Sequence, residues 1–274
     1  MEVIILIIAG FLGGILASLL GLGGGLVIVP ALMICLPFYQ VDSSVVMHLS
    51  VGTSLLIMLV NSVASAWSHH QARNIDWLLF GQILPFVVVG TLTGCFVAIQ
   101  LPTQLLIFIF LVFLLVIIVR FLSHFKKRKP MNMINTSRPP MIAKGLSGVM
   151  SGLIGSCMGV GSSLIMVPVL KRYGFYIRHC AGLSNGFNVL IALIAIFYYS
   201  TFNIAHEPFP NFTTGYIFWP VVIWLFLGSV VGVPFGTWLG RQLTEKITTF
   251  IYFSLLLAIF FIMLYKLLRF YYLI

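Results

Sequence analysis

Apolar residues run along this chain in long blocks separated by short polar breaks. The blocks cover roughly 3–37, 47–67, 77–99, 103–123, 144–170, 182–201, 214–240 and 247–270. A helix needs about 20 apolar residues to cross a bilayer core, so most blocks fit one crossing and 3–37 is too long for one. The apolar–polar alternation of a β-barrel is absent. With no water to satisfy the backbone inside lipid, the blocks predict helices. The polar breaks at 124–143 (Pro130, Pro139, Pro140) and 202–213 (Asn203, His206, Glu207, Pro208, Pro210, Asn211) read as exposed connections.

Two of the blocks carry copies of one glycine-rich pattern. A constant shift of 138 residues superposes Gly10 on Gly148, Gly14 on Gly152, Gly21 on Gly159, Gly23 on Gly161 and Pro30 on Pro168. The same shift places Gly90 and Gly94 on Gly228 and Gly232. The chain therefore divides into a first transmembrane repeat, 1–123, a basic linker, 124–143, and a second repeat, 144–274. The predicted fold is an all-α polytopic membrane protein with two homologous halves. Each half is a glycine-broken helical segment plus three transmembrane helices.

Composition agrees with this reading: 61% of residues are hydrophobic and 7% charged, against about 25% charged in a soluble domain. The net charge of +10 reads as a topology signal rather than a nucleic-acid surface, because it clusters in loops, above all at Lys126-Lys127-Arg128-Lys129. If each glycine-rich segment crosses once, Lys and Arg split 10 against 5 between the two sides. If each enters and returns to the same side, the split is 13 against 2, with the linker in the cytoplasm. The positive-inside rule favours the second arrangement. It leaves an odd number of full spans per half, so the halves read as inverted repeats, an architecture of many secondary transporters. The first segment, Met1-Glu2-Val3 onward, lacks a basic leader and reads as part of the mature protein.

The candidate chemistry sits in the glycine breaks. Glycine costs about 1 kcal/mol in a helix interior, so Gly21, Gly23, Gly24 and Gly25 predict a break, with a helix restarting near Leu26. The restarting N-terminus carries free N–H donors and partial positive charge, which suits an anion. The second break has Gly159 and Gly161, with Ser162 and Ser163 in place of Gly24 and Gly25. These serines could cap the new helix or give hydroxyls to a ligand. Gly10, Gly14, Gly90, Gly94, Gly228, Gly232 and Gly236 instead predict close helix packing. Polar residues open the following spans: Thr53 and Ser54 after His48, and Asn185 and Asn188 after Ser184. They either bond neighbouring helices or line a wet cavity; Asn61 and Gln82 are weaker candidates. The proposed substrate-binding set is thus the two breaks with Thr53, Ser54, Asn185 and Asn188.

The five acidic residues, Glu2, Asp42, Asp76, Glu207 and Glu245, fall in loops or at span ends, which further favours an anionic substrate over a carboxylate-based cation relay. Cys35, Cys95, Cys157 and Cys180 show no paired spacing, and His69-His70 reads as a loop pair. Catalytic residues, metal ligands and cofactors are not expected, nor is an enzyme.

The stretch GFLGGILASLLGLGGGLVIVPAL at 10–32 resembles the opening signature of the sulfite exporter TauE/SafE family. Ala72-Arg-Asn-Ile-Asp-Trp77, Gly90 to Gly94 and the Leu101-Pro-Thr segment also resemble it. The second half departs from the pattern: Ser-Asn-Gly-Phe at 184–187 and Gly-Ser-Ser at 161–163 stand where the family keeps Gly-Thr-Ser and more glycine. The resemblance implies a multi-pass permease of a bacterial inner membrane, carrying small anions such as sulfite, organosulfonates or related compounds by alternating access. An anion channel and a non-transporting scaffold are the alternatives. The partners expected are the small anion, the lipid bilayer and a second copy in a homodimer, with no nucleic acid.

Overall fold

The computed structural model describes residues 2–126, 138–202, 211–242 and 245–272. In the first half, α1 (Glu2–Leu20) and α2 (Gly25–Cys35) flank the first glycine break, and a 3-10 turn (Leu36–Tyr39) follows. Then come α3 (Val46–Gln71), α4 (Trp77–Gln100) and α5 (Thr103–Lys126). In the second half, α6 (Met141–Met158) and α7 (Ser163–Arg172) flank the second break, followed by α8 (Ile177–Thr201), α9 (Trp219–Gln242) and α10 (Glu245–Tyr272). Helices α1, α3, α4, α6, α8 and α9 contain stretches long and apolar enough to cross a membrane. The first limb of each broken segment is thus of crossing length, and the second limb is shorter.

The chain reverses at both breaks. Gly24 lies beside Gly13, because a Cβ on Gly24 would sit 2.8 Å from the Gly13 carbonyl oxygen. Seven residues separate Gly13 from the end of α1, so the break has folded back along the helix it has just left. At the far end of the return, burial and the nearby Glu2 carboxylate push the Tyr39 phenol above its ordinary value. In the second half the Ser151 hydroxyl lies 3.5 Å from the Ser162 carbonyl oxygen, eleven positions further on. The start of α8, just after the loop that follows α7, lies at the level of α4's start, where the Asn74 carbonyl meets His179 Nδ1 at 3.0 Å.

Each first helix packs against the fourth helix of the other half. Helices α1 and α9 run in the same direction. Gly14 faces Ser229, Gly228 faces Phe11, Gly236 faces Ile15 and Gly240 faces Leu19. Helices α4 and α6 do likewise: Gly152 faces Gly90 and Thr91, and Gly94 faces Leu153. Added Cβ atoms at Gly14 and Gly152 would lie 2.9 and 2.6 Å from backbone nitrogens of the partner helix. Without a hydrophobic force between helices in lipid, such close approach is the main source of helix association. Gly10, Gly14, Gly90, Gly94, Gly228, Gly232 and Gly236 are packing glycines, as their spacing predicts. Helix α3 packs on α8 at the centre, and α5 on α10.

Local sequence fixes the ends. Asp76 caps α4, its Oδ1 accepting from the Leu78 and Leu79 N–H groups at 3.1 and 3.0 Å. Losing such a cap costs about 1 kcal/mol, so Asp76→Ala should lower Tm by about 3 °C. Thermal unfolding in detergent reads this, and an unchanged Tm would remove the cap from the account.

The block at 144–170 splits at the break, as its glycines predict. The structure changes two other expected boundaries. The block at 214–240 starts as a short antiparallel hairpin, Thr213–Thr214 with Ile217–Phe218, and only becomes helix at Trp219. Gly215 at its tip has φ +56°, a left-handed conformation that suits the tight turn between the two strands. The linker narrows, since α5 continues to Lys126 and α6 begins at Met141. Lys127–Arg128–Lys129, Pro130 and the rest of 127–137 lie outside the described residues, as do Asn203, His206, Glu207, Pro208 and Pro210.

Candidate functional site

The two breaks meet at the centre of the molecule. The Gly161 N–H donates to the Leu22 carbonyl at 3.1 Å, joining them directly through the backbone. Gly25 presses on Gly159: a Cβ at position 25 would lie 2.8 Å from the Gly159 carbonyl carbon and 3.3 Å from the Val160 Cα. Helices α2 and α7 both start here, so two sets of first-turn N–H groups and two positive dipole ends converge.

The two breaks owe their glycines to different causes. Gly24 has φ +90°, which side-chain-bearing residues rarely adopt. Ser162, its counterpart, has φ −62°, so a side chain is tolerated there. Gly161 is needed for proximity, because a Cβ would sit 2.5 Å from the Leu22 carbonyl oxygen.

Asn188 holds both breaks at once. Its Oδ1 accepts the Ser162 N–H at 2.7 Å and its Nδ2 donates to the Gly21 carbonyl at 2.8 Å. Ser54 makes the matching but weaker contact in the other direction: its hydroxyl donates to the Val51 carbonyl at 2.8 Å and reaches the Gly159 carbonyl at 3.4 Å. Each half thus sends one polar side chain from its third helix onto the other half's break. All these groups are buried.

The remaining candidates divide. Asn185 is fully buried beside the first break, its Nδ2 donating to Ser65 Oγ at 2.8 Å and reaching the Ala17 carbonyl at 3.4 Å. Thr53 turns away from the breaks; its Oγ1 accepts the Phe218 N–H at 3.0 Å and anchors the hairpin. Ser162 is the N-cap of α7 but makes no side-chain cap bond, contrary to one of the two sequence expectations; its hydroxyl donates instead to the Ser184 carbonyl at 3.0 Å. The Ser163 hydroxyl is buried and unpartnered among the described residues. The N–H groups of Gly161 and Ser162 are taken up by Leu22 and Asn188, so they are not free donors in this conformation.

Several contributors had little signal in the sequence. Asn61 Nδ2 reaches the Gly23 carbonyl at 3.4 Å, and Met58 fills the space over Gly23. Asn61 is conspicuous only as an amide within an apolar run. Ser62 and Ser65 are not conspicuous at all, since small hydroxyls are common between membrane helices. Among the described residues, five buried polar atoms lack a hydrogen-bond partner: Asn61 Oδ1, Ser62 Oγ, Ser163 Oγ, Ser184 Oγ and Asn185 Oδ1. All five belong to α3, α7 or α8, the helices that surround the breaks. No cluster of three or more His, Cys, Asp or Glu suited to a metal occurs among the described residues, and all four cysteines are free and buried.

Comparison with known proteins agrees with this architecture. The sequence profile of the family described as "Sulfite exporter TauE/SafE" matches residues 6–263. A probable membrane transporter protein of Haemophilus influenzae is 27% identical over 246 residues, covering 89% of this chain and 90% of the relative. A probable membrane transporter protein of Methanocaldococcus jannaschii is 26% identical over 249 residues, covering 89% and 87%. One from Bacillus subtilis is 23% identical over 264 residues, covering 90% and 91%. No solved structure matches the chain.

Proposed function

This chain belongs to the sulfite exporter TauE/SafE family, and on that premise we propose that it carries a small anion across the membrane by alternating access around the two breaks. It is a multi-pass membrane permease. The observation that carries the finer reading is the junction itself, where two helix N-termini face one another across a backbone hydrogen bond and a shared asparagine. A small anion entering there would compete with Asn188 and Leu22 for the N–H groups of Ser162 and Gly161. Binding would then loosen the contacts that hold the halves closed, which is how a substrate drives a change of access.

The acidic residues support an anion over a cation as cargo. Glu2, Asp42 and Asp76 sit at or beyond helix ends, so a bound anion meets no buried carboxylate among the described residues. Sulfite, organosulfonates and related sulfur anions are the proposed substrates. The reversal at both breaks favours inverted repeats, with the turn at 72–76, the start of α6 and the turn at 173–176 on one side of the membrane. The positive-inside rule makes that side the cytoplasm of a bacterial-type inner membrane. Labelling a cysteine placed at position 175 from the outside of intact cells would overturn that orientation.

The test is uptake of labelled sulfite by proteoliposomes preloaded with unlabelled sulfite, with sulfate, taurine and sulfoacetate as competitors. Saturable exchange inhibited by one of them is the expected result. No exchange by folded protein would move the substrate class away from sulfur anions. Gly24→Leu adds a site-level check. The side chain would meet the Gly13 carbonyl and Asn61 in a left-handed conformation, so exchange should fall at least about tenfold while membrane insertion persists. Full exchange by this variant would detach the break from transport.

A further inference from the structure

The first break is surrounded by oxygens with nothing to donate to them. Asn61 Oδ1 and Asn185 Oδ1 are fully buried and unpartnered, and so is the Ser184 hydroxyl. Both amides have their nitrogens turned toward backbone carbonyls, Asn61 to Gly23 and Asn185 to Ala17. That leaves each Oδ1 as an acceptor. The three residues share one neighbourhood. Asn61 and Ser65 are four residues apart on α3 and so lie on one face, about 6 Å apart. Asn185 bonds Ser65 at 2.8 Å. The Ser184 Cβ lies 3.4 Å from where a Gly21 Cβ would be.

Backbone charge has the same sign. Helix α1 ends at Leu20, and the Ala17, Gly21 and Gly23 carbonyls point into this region, where they accept from Gly21 N–H, Asn188 and Asn61. A carbonyl oxygen has two lone pairs, so those of Gly21 and Gly23 each keep one for a further partner, while the Ala17 carbonyl is taken up by the Gly21 N–H and Asn185. The C-terminal end of a helix carries partial negative charge. Buried acceptors without donors cost free energy unless a donor or a cation satisfies them.

We propose that these oxygens form a site for a monovalent alkali cation, held by Asn61 Oδ1, Asn185 Oδ1, the Ser184 hydroxyl and the Gly21 and Gly23 carbonyls just past the end of α1. All the ligands are neutral. A divalent ion such as Ca²⁺ is usually held by carboxylates, and none faces this region among the described residues, so the single charge fits. Unwound carbonyls beside a half-helix C-terminus are the usual cation ligands of transporters with broken helices. The cation would lie next to the junction where the anion is proposed to bind. Its coupling role rests on that carrier reading, whereas its binding does not.

The experiment is the melting temperature of the purified full chain in detergent, in NaCl, KCl or choline chloride at equal chloride. The expected result is a saturable rise of about 5 °C in NaCl or KCl over choline. Asn185→Asp adds a carboxylate to the ligand set and should lower the half-saturating cation concentration about tenfold. If that variant does not fold, Ser184→Ala removes one ligand oxygen and should raise the same midpoint at least about threefold. Equal Tm in all three salts, or midpoints that neither variant moves, would overturn the cation site. Stabilisation that follows pH and ignores the alkali ion would assign the oxygens to a proton donor and overturn it too. A parallel titration with sulfite in choline and in NaCl buffer separates the two readings. Sulfite protection without a cation effect leaves the anion carrier standing and removes the cation; a cation effect with no sulfite protection in either buffer does the reverse.

Discussion

Gly25→Ala should reduce transport by about two orders of magnitude, more than any other single methyl group added to the breaks. The Cβ would collide with the Gly159 carbonyl, which belongs to the backbone of the other half. A flexible side chain could rotate away, but a peptide carbonyl at the junction of two breaks can move only if the halves part. Overpacking of this kind costs about 1–3 kcal/mol, sometimes more. At about 3 kcal/mol, a conformation that every transport cycle must visit becomes some hundredfold rarer. Initial rates of exchange in proteoliposomes, normalised to inserted protein, measure the effect. Gly81→Ala is the control, because nothing lies within 4 Å of a Cβ there. Equal rates for the two variants would mean that the junction opens without needing the contact seen between Gly25 and Gly159.

Asn188→Leu should be the most destabilising change that leaves side-chain volume nearly intact. It strands the Ser162 N–H and the Gly21 carbonyl, both buried. Each unsatisfied group costs about 1–3 kcal/mol, so the loss is about 3 kcal/mol or more, and Tm should fall by about 10 °C. Ser54→Ala, on the third helix of the other half, should cost less than about 1 kcal/mol. The Ser54 hydroxyl already has the Val51 carbonyl and only reaches Gly159 at 3.4 Å. A similar loss for both variants would show that the asymmetry between 2.7 and 3.4 Å has no energetic weight.

The helical class was legible because lipid leaves few choices: long apolar blocks must satisfy their own backbone, and helices do so. The two breaks were legible because glycine is costly in helices, so two clusters of glycines inside apolar runs need a structural cause. The reversal at each break was not contained in hydropathy, since residues 3–37 read as one apolar run whether they cross or return. The distribution of Lys and Arg pointed to the return, and Gly24 beside Gly13 shows it. The hairpin at 213–218 was hidden because Tyr216, Ile217 and Phe218 are apolar and merge with α9 in any window average. The site was legible in outline only. Asn188 stood out as an amide in a membrane span, but its hold on two distant breaks depends on α8 crossing both of them. Thr53 carried the same sequence signal and turned out to face the hairpin. Ser162 looked like a cap, yet its hydroxyl found the Ser184 carbonyl first.

The pairing of each first helix with the fourth helix of the other half also sets the order in which the protein can be completed. Helix α6 emerges after its partner α4 has been made, so its glycine face can be covered as it enters the membrane. Helix α1 has no such luck, because α9 begins only at Trp219. At about 5–20 residues per second, the glycine face of α1 waits roughly 10–40 s for its partner. During biogenesis that face must be tolerated by lipid or shielded by the insertion machinery. A chain released before α9 would expose the surface on which the finished protein depends.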